Sequence, residues 1–333
     1  MGGLNKRERT GAVLAAGSVL LVGGSVAASR LLDAYPVFGG QGVRYLVAGL
    51  LLAAWARLGH KRLPRPTGRE WAWLAGLAVI GLAGCSVLLI EAARAADPAS
   101  VGVVIGAAPM VIVIAAAVAA GSRPTRRVLL AAAVVTAGSA AAQFGGATGP
   151  TWSAAGLLWP AGALGGVVGT SLLAAPVLGR LGALAVTVYS CGLAGLLLLA
   201  AAVVSSAGGS PILRMPTATE LAALAYLAVV VTAVVFIAWY GAMERLGMDR
   251  TGLFNGLVPV TSLGAVALTG TGTITLFRFL AALVVLAGVI LGLGGAPRAP
   301  VGTVNQTDHR AETTPASPHA EPAQLLSAPN AAT

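Results

Sequence analysis

The chain has 333 residues, of which 57% belong to the apolar set AVILMFWYC and 10% are charged. Because soluble domains carry roughly 25% charged residues, this composition excludes a water-soluble fold. The mean hydropathy is +0.86, and the apolar residues form long blocks, as in a protein that crosses a membrane many times. The formal net charge of +10 comes from basic residues in short loops between these blocks. That pattern indicates control of membrane topology and not binding of nucleic acid.

Ten apolar segments follow one another along the chain, and each approaches the roughly 20 residues that a helix needs to cross the bilayer. We therefore predict an all-α integral membrane protein with ten transmembrane helices. Lys6, Arg7 and Arg9 precede the first segment as they would precede a signal peptide, but the nine segments that follow favour a retained helix. The segments lie at about 11–29, 38–56, 71–93, 99–120, 127–144, 153–175, 182–206, 219–242, 251–270 and 274–293.

Lys and Arg residues are distributed unevenly between the two sides of such a bundle. Sixteen fall on the side of the N-terminus and three on the opposite side, which predicts that both termini lie in the cytoplasm. We expect the membrane to be the plasma membrane. The sixteen are Lys6, Arg7, Arg9, Arg57, Lys61, Arg62, Arg65, Arg69, Arg123, Arg126, Arg127, Arg180, Arg245, Arg250, Arg298 and Arg310; the three are Arg30, Arg94 and Arg214.

The two ends of the chain have a different composition from the apolar blocks. Residues 1–10 are predicted to be a short cytoplasmic N-terminus. Residues 295–333 contain six prolines and no aromatic residue, so they cannot bury enough apolar surface to offset the entropy of ordering. We predict a disordered cytoplasmic tail there.

The two halves of the chain repeat each other. A shift of 150 residues aligns 101–138 with 251–288 without a gap, and 13 of those 38 positions are identical. The motif G-x3-G-x2-P recurs as GVVIGAAP and GLFNGLVP. The repeat predicts two five-helix halves, at 11–145 and 150–294. Since five is odd, the second half enters the membrane upside down, which is the architecture of alternating-access carriers.

With these features, the chain resembles EamA-type members of the drug/metabolite transporter superfamily. The resemblance rests on GSVAASRLL after the first segment, the Arg44-Tyr45 pair early in the second, the two G-x3-G-x2-P helices, and Gly138 and Gly288 in the fifth and tenth segments. It covers about residues 10–294. What it implies is transport of small metabolites such as amino acids, nucleosides or drugs through a central cavity.

The chain departs from this family at two corresponding places. Family members commonly carry Gly-Glu just after the fourth and ninth helices, whereas this chain has Gly121-Ser122 and Thr271-Gly272. Both acidic residues are missing. Whatever role they serve elsewhere cannot be transferred to this chain.

Two ionisable residues lie within or near predicted spans and are candidates for substrate binding or proton coupling. Glu91 is followed by Arg94 and Asp97 at helical spacing, so it marks either a functional site or a rim pair exposed to water. Arg44 lies several residues inside the second segment, where its head group either snorkels outward or serves an internal role. Only the resemblance to the family favours the internal role.

Further candidates come from polar, aromatic and small residues. Asn255 lies between Gly252 and Pro259, and the proline would free a backbone carbonyl toward a cavity. Aromatic candidates for the cavity are Trp159, Tyr189, Trp239 and Tyr240, although such rings also anchor helices at the lipid interface. Helix packing or hinge roles are predicted for Gly102, Gly106, Pro109, Gly252, Gly256 and Pro259. A solvated cytoplasmic turn is predicted for Glu244, Arg245, Asp249 and Arg250.

No motif of the sequence predicts an enzyme. The chain has no G-x4-G-K-[ST] loop and no H-E-x-x-H motif, and His60 is the only histidine before the tail. Cys85 and Cys191 lie in different apolar blocks, which indicates neither a disulfide framework nor a thiolate metal site. We therefore expect no cofactor and no metal.

These patterns predict a secondary carrier that exports a small organic metabolite or drug, with protons as a candidate coupling ion. The scarcity of acids in the spans favours a moderately apolar or zwitterionic substrate over a multiply charged one. Import of the same substrate class, a membrane scaffold or sensor without transport, and an embedded lipid-modifying enzyme remain as alternatives. The sequence does not indicate the oligomeric state.

Overall fold

The computed structural model describes residues 5–95, 98–144, 154–209, 211–258, 260–261 and 275–294. Every regular element within these ranges is helical. Fourteen α-helices are α1 Lys6–Gly23, α2 Ser25–Arg30, α3 Val37–Leu58, α4 Gly68–Gly76, α5 Cys85–Ala95, α6 Pro98–Ile105, α7 Ala108–Ala119, α8 Arg126–Phe144, α9 Ala154–Leu172, α10 Ala175–Ser206, α11 Ala218–Tyr226, α12 Val235–Leu246, α13 Met248–Leu253 and α14 Leu276–Leu293. The predicted tail, Pro259 and the pair Thr271-Gly272 lie outside the described residues.

Seven of the described helical segments are long and apolar enough to cross a membrane. They are Val37–Leu58, Gly68–Ala95, Ala99–Ala119, Arg126–Phe144, Ala175–Ser206, Ala218–Leu246 and Leu276–Leu293. The segment Leu157–Leu172 is apolar but shorter. The predicted first span corresponds to α1 and α2, whose charged first turn lowers its hydropathy, and the predicted ninth span continues beyond the described residues. The chain is thus a multi-pass, all-helical membrane protein.

Two of these segments contain a stretch of π-helix in their middle. Leu77–Gly84 joins α4 to α5, and Leu227–Val234 joins α11 to α12. The two stretches are exactly one repeat length of 150 residues apart. In a π-helix each backbone hydrogen bond spans five residues instead of four, and such stretches are frequent at functional sites.

Capping residues explain why the helices begin where they do. Thr67 accepts a hydrogen bond from the Glu70 backbone at the start of α4, and Thr217 accepts one from the Glu220 backbone at the start of α11. In both cases the glutamate carboxylate accepts a hydrogen bond from the backbone N–H of the threonine, which completes a capping box. These two boxes are also 150 residues apart.

The helices of the two halves pack against each other in reciprocal pairs. The most extensive contacts join α3 to α10 and α8 to α14. Helix α1 packs on α12, and its counterpart α9 packs on α5. Helix α7 packs on α13. The apolar core, which includes Tyr45, Leu82, Ile112, Val186 and Val285, lies between these helices.

Polar contacts mark one end of the helices, which we name the Glu8 end. Arg250 donates to Glu8 at 3.0 Å, and the side chains of this pair are 3% and 8% exposed. Nearby, Arg7 donates to the backbone carbonyl of Glu244 at 2.9 Å, and the Glu244 carboxylate accepts from the Ala183 backbone at 2.7 Å.

A second set of polar contacts marks the other end, which we name the Glu91 end. Tyr35 donates to the Arg214 carbonyl at 2.9 Å, and the Arg214 guanidinium pairs with Glu220. The hydrogen bond to the Glu220 carboxylate raises the pKa of Arg214. Glu91 and Arg94 form an ion pair of 3.1 Å at the same end.

The predicted solvated turn at Glu244, Arg245, Asp249 and Arg250 is wrong for its second half. Asp249 is 8% and Arg250 is 2% exposed, because α13 begins at Met248 and packs against α7 and α12. The buried Glu8 carboxylate gives Arg250 an ionic partner at this depth, as a buried charge requires.

Candidate functional site

A cavity of about 270 Å³ lies between helices of the two halves. Its walls come from α1, α2, α3, the two π-containing segments, α9 and the start of the predicted ninth span. The residues that line it are Ser18, Val19, Val22, Ser25, Ser29, Gln41, Arg44, Tyr45, Gly81, Cys85, Ser86, Leu89, Ile90, Val167, Thr170, Ser171, Val231, Val235, Phe236, Trp239, Asn255 and Val258. Its lining reaches Ser29 and Ile90, close in sequence to the Glu91 end. We name it the central cavity.

Arg44 lines the central cavity from α3, so it lies where an internal role requires it. Its Nε donates to Thr232 Oγ1 at 2.8 Å, and its Nη1 donates to Gln41 Oε1 at 3.0 Å. Thr232 belongs to the second π stretch and itself donates to the Leu227 carbonyl at 2.8 Å. Both partners of Arg44 are neutral, so these contacts orient the guanidinium without neutralising its charge.

Tyr45 forms a second polar contact of the cavity wall. Its hydroxyl lies 2.7 Å from Ser86 Oγ and 3.3 Å from the Leu82 carbonyl, and the side chain is 3% exposed. Leu82 belongs to the first π stretch. The Arg44 guanidinium lies 5.2 Å from the Tyr45 ring centroid, which is within range of a cation–π contact.

The second half contributes an indole and an amide. Trp239 Nε1 donates to Ser171 Oγ at 3.2 Å, so α12 and α9 are joined at the cavity wall. Asn255 Nδ2 is buried and donates to no acceptor among the described residues. Buried polar atoms are almost always hydrogen-bonded, so this nitrogen is an exception among the described residues near the cavity.

Glu91 lies outside the central cavity. It lines a separate cavity of about 350 Å³ at the Glu91 end, together with Arg94, Asp33 and Tyr35. Glu91 is 36% and Arg94 is 49% exposed. This geometry matches the alternative predicted from the sequence, in which Glu91 and Arg94 form an ion pair exposed to water at the rim.

Three predicted aromatic residues are likewise absent from the cavity wall. Tyr240 is fully buried beside Phe236, at 5.7 Å between ring centroids. Tyr189 donates to the Pro64 carbonyl at 3.3 Å, and Trp159 is half-buried on α9. Trp239 is the aromatic residue of that predicted group that the cavity includes.

The predicted packing glycines all lie against a neighbouring helix. A methyl group on Gly252 would lie 2.5 Å from Ile112 of α7, and one on Gly256 would lie 2.0 Å from Val135 of α8. Gly102 and Gly106 face Gln143 and Ser139 of α8 in the same way. At these positions a larger side chain would push the helices apart.

The fourth span breaks between α6 and α7. The break falls after Gly106, and Pro109 occupies the first turn of α7, where its missing N–H removes no helical bond. Helix α7 ends at Ala119, and Gly121, which follows the C-cap residue Ala120, has a φ of +57° and forms a left-handed cap. The glycine of the family's Gly-Glu pair therefore has a structural role here without the acid.

Sequence reasoning missed most of the short polar residues of the cavity. Ser18, Ser25, Ser86, Thr170 and Ser171 carry no signal individually, because serine and threonine also occur at ordinary helix contacts in membranes. A usable signal was the repeat itself: Ser25 and Ser171 align at a shift of 146, and both line the cavity.

No cluster of three or more His, Cys, Asp or Glu side chains that could hold a metal ion occurs in the part of the chain that the structure describes. Cys85 and Cys191 are both buried as free thiols. Among the described residues, the wall of the central cavity thus carries the cation of Arg44, several hydroxyl groups, the amides of Gln41 and Asn255, and apolar side chains.

Comparison with known proteins finds a matching family model and similar solved structures. The model of the EamA-like transporter family matches residues 9–142, which confirms the resemblance over that part of the chain. A crystal structure of a protein that is 20% identical aligns with 85% of this chain and 96% of its own, at a TM-score of 0.72. At that identity the likeness concerns the fold alone. No curated protein matches the chain significantly.

Proposed function

We propose that the chain is a secondary carrier that moves a small organic metabolite or drug across the plasma membrane by alternating access. The observation that carries the proposal is the central cavity, whose walls come from both halves of the chain. A cavity shared by two similar halves can face either side of a membrane when the halves exchange conformations. The match to the transporter family supports the same function.

The proposed architecture is ten spans in two inverted five-helix repeats. Its support is the regular offset of 150 residues between the capping boxes, between the π stretches and between the starts of α8 and α14. The reciprocal packing of α1 on α12 and of α9 on α5 also supports an internal twofold relation. Such a relation is expected of inverted repeats.

We place the Glu8 end in the cytoplasm, because the majority of the basic residues fall on that side. The buried Glu8–Arg250 pair and the contact of Arg7 with Glu244 join α1 to α12 and α13 at this end. The central cavity instead reaches Ser29 and Ile90. The structure is thus interpreted as a state closed toward the cytoplasm, and the transport direction is proposed to be outward on the family resemblance.

Flux is the direct test. Metabolites outside cells that overexpress the protein are compared with those outside deletion cells, and the enriched compounds are then assayed in proteoliposomes under an imposed proton gradient. Accumulation outside cells and gradient-driven flux would support the proposal. Uptake would reverse the direction, and a broad panel without flux would favour the scaffold alternative.

A conformational test separates a carrier from a scaffold. Ala107 and Leu257 are equivalent positions in the two halves, and both are half-buried. Single cysteines at these positions, in a background without Cys85 and Cys191, are labelled from each side of the membrane. In a carrier the two accessibilities change in opposite directions when substrate or a gradient is added. In a scaffold they stay constant.

A further inference from the structure

We infer that the central cavity takes an organic monocarboxylate with an apolar body, and that Arg44 binds its carboxylate. The inference rests on the proposed carrier function, because it names the substrate class of the same cavity. It departs from the moderately apolar or zwitterionic substrate that the sequence predicted, because it assigns the ligand a single negative charge.

The charge of the cavity wall is the first argument. Among the described residues that line the cavity, Arg44 carries the one formal charge, and no Asp or Glu is present. Glu91, which follows the lining residue Ile90 in sequence, lines the other cavity and pairs with Arg94 at 3.1 Å. A cation in an apolar, partly desolvated site favours an anionic ligand. The ammonium of a zwitterion would find no carboxylate in this wall.

The geometry of the guanidinium is the second argument. An arginine has five N–H groups in a planar fork, and the contacts to Thr232 and Gln41 engage two of them. These contacts come from α3 itself and from the opposite π stretch, so they fix the plane of the fork before any ligand arrives. The remaining donors suit the two oxygens of a carboxylate, which arginine binds in bidentate fashion.

The other residues of the cavity wall favour a ligand with a single charge and an apolar body. Val22, Leu89, Val231, Val235 and Phe236 line the cavity beside the indole of Trp239. A second carboxylate on the ligand would lie against these apolar groups without a cation. Asn255 also lines the cavity, and its uncharged amide suits a neutral polar group of the ligand such as a carbonyl or hydroxyl.

Binding to the purified full-length protein tests the inference with matched probe pairs. The probes are butyrate, benzoate and 4-phenylbutyrate, each compared with its own primary amide, and 4-phenylbutylamine as a cationic analogue. Readouts are quenching of tryptophan fluorescence, which Trp239 makes sensitive to the cavity, and the shift of the thermal unfolding midpoint. We expect at least one carboxylate to bind at least about tenfold more tightly than its amide, as expected of a charge-assisted bond.

Three variants test whether Arg44 causes the preference for a carboxylate over its amide. Arg44→Gln should abolish the preference for acid over amide, and Arg44→Lys should retain part of it, because lysine keeps the charge but not the fork. Arg57→Gln is the matched control, since Arg57 is an exposed arginine at the other end of the same helix. It should leave binding unchanged. The lysine variant keeps the test valid if the glutamine variant fails to fold.

The outcomes separate the inference from the proposed function. Equal binding of acids and amides, no binding of any carboxylate, or a preference that survives in Arg44→Gln would overturn the inference. Carboxylate binding without flux in proteoliposomes would support the cavity chemistry and count against the carrier. Flux of a neutral or cationic compound would support the carrier and overturn the monocarboxylate.

Discussion

Two Glu–Arg pairs show how differently the two ends of this molecule use the same chemistry. Glu91 and Arg94 are three residues apart on α5, lie 3.1 Å from each other and are 36% and 49% exposed. Glu8 and Arg250 are 242 residues apart, lie at 3.0 Å and are 8% and 3% exposed. The first pair stands on the rim of a cavity, whereas the second joins α1 to α13. The two pairs have almost the same distance between their charged atoms. Their roles differ because one pair is buried and joins two helices, whereas the other is exposed within one helix.

The hydropathy of the sequence draws attention to Glu91 and gives no reason to single out Glu8. Glu91 attracts attention because it ends an apolar block, whereas Glu8 precedes the first block and resembles part of a charged terminus. In the structure the start of α1 packs against α12, so Glu8 is buried within the helix bundle. The position of a carboxylate near the end of a helix therefore does not by itself imply that the carboxylate is exposed.

The largest expected effect is that of Glu8→Gln. Removing one partner of a buried ion pair costs about 3–5 kcal/mol, so we expect a clear fall in the thermal unfolding midpoint in detergent. Glutamine at this position can keep the capping box with Asn5, so the change isolates the charge. The same substitution at Glu91 is the control. Equal midpoints for the two variants would contradict the comparison.

A smaller effect is expected at a packing contact of α1 that involves no charged group and lies near the Glu8 end. A methyl group on Gly11 would lie 2.8 Å from Leu246 and 2.9 Å from Arg245, whereas nothing lies within 4 Å of one on Gly17. Gly11→Ala should therefore destabilise the protein by about 1–3 kcal/mol through overpacking. Gly17→Ala on the same helix should be neutral or slightly stabilising, because alanine favours helix. Similar unfolding midpoints for both variants would show that this contact is loose.

The sides of the membrane can be assigned by labelling the two ends of the first predicted span. Thr10 and Ser29 are both exposed. In a background without Cys85 and Cys191, Ser29→Cys should react with an impermeant maleimide in intact cells, whereas Thr10→Cys should react only after permeabilisation. Labelling of both from the same side would remove the cytoplasmic assignment of the Glu8 end.

Much of the fold could be predicted from the sequence because lipid leaves a helix few choices. The long apolar blocks at 38–56, 71–93 and 127–144 correspond to helices with nearly the same bounds. Arg44 and Asn255 were predicted as site residues and line the central cavity. Their roles remain proposals.

What the sequence could not provide depends on contacts between distant segments. The pair of Glu8 with Arg250 requires α1 and α13 to meet, and no local pattern encodes that approach. The π stretches also escaped prediction, because their composition is as apolar as that of the α-helices beside them. Trp159, Tyr189 and Tyr240 were chosen as amphipathic rings, yet which face of a helix meets the cavity depends on how the helices pack.

The smallest expected effect is that of Glu91→Gln, which also decides between two roles for this acid. An exposed pair three residues apart on a helix contributes about 0.5 kcal/mol or less, so the unfolding midpoint should hardly move. If Glu91 is only a rim residue, flux and its dependence on pH should match those of the unmodified protein. Arg94→Gln removes the partner and should be equally silent. A loss of proton-driven flux in Glu91→Gln, with the same midpoint and with Arg94→Gln unaffected, would instead make Glu91 a coupling residue at the rim, since a proton acceptor is lost while the helix stays intact.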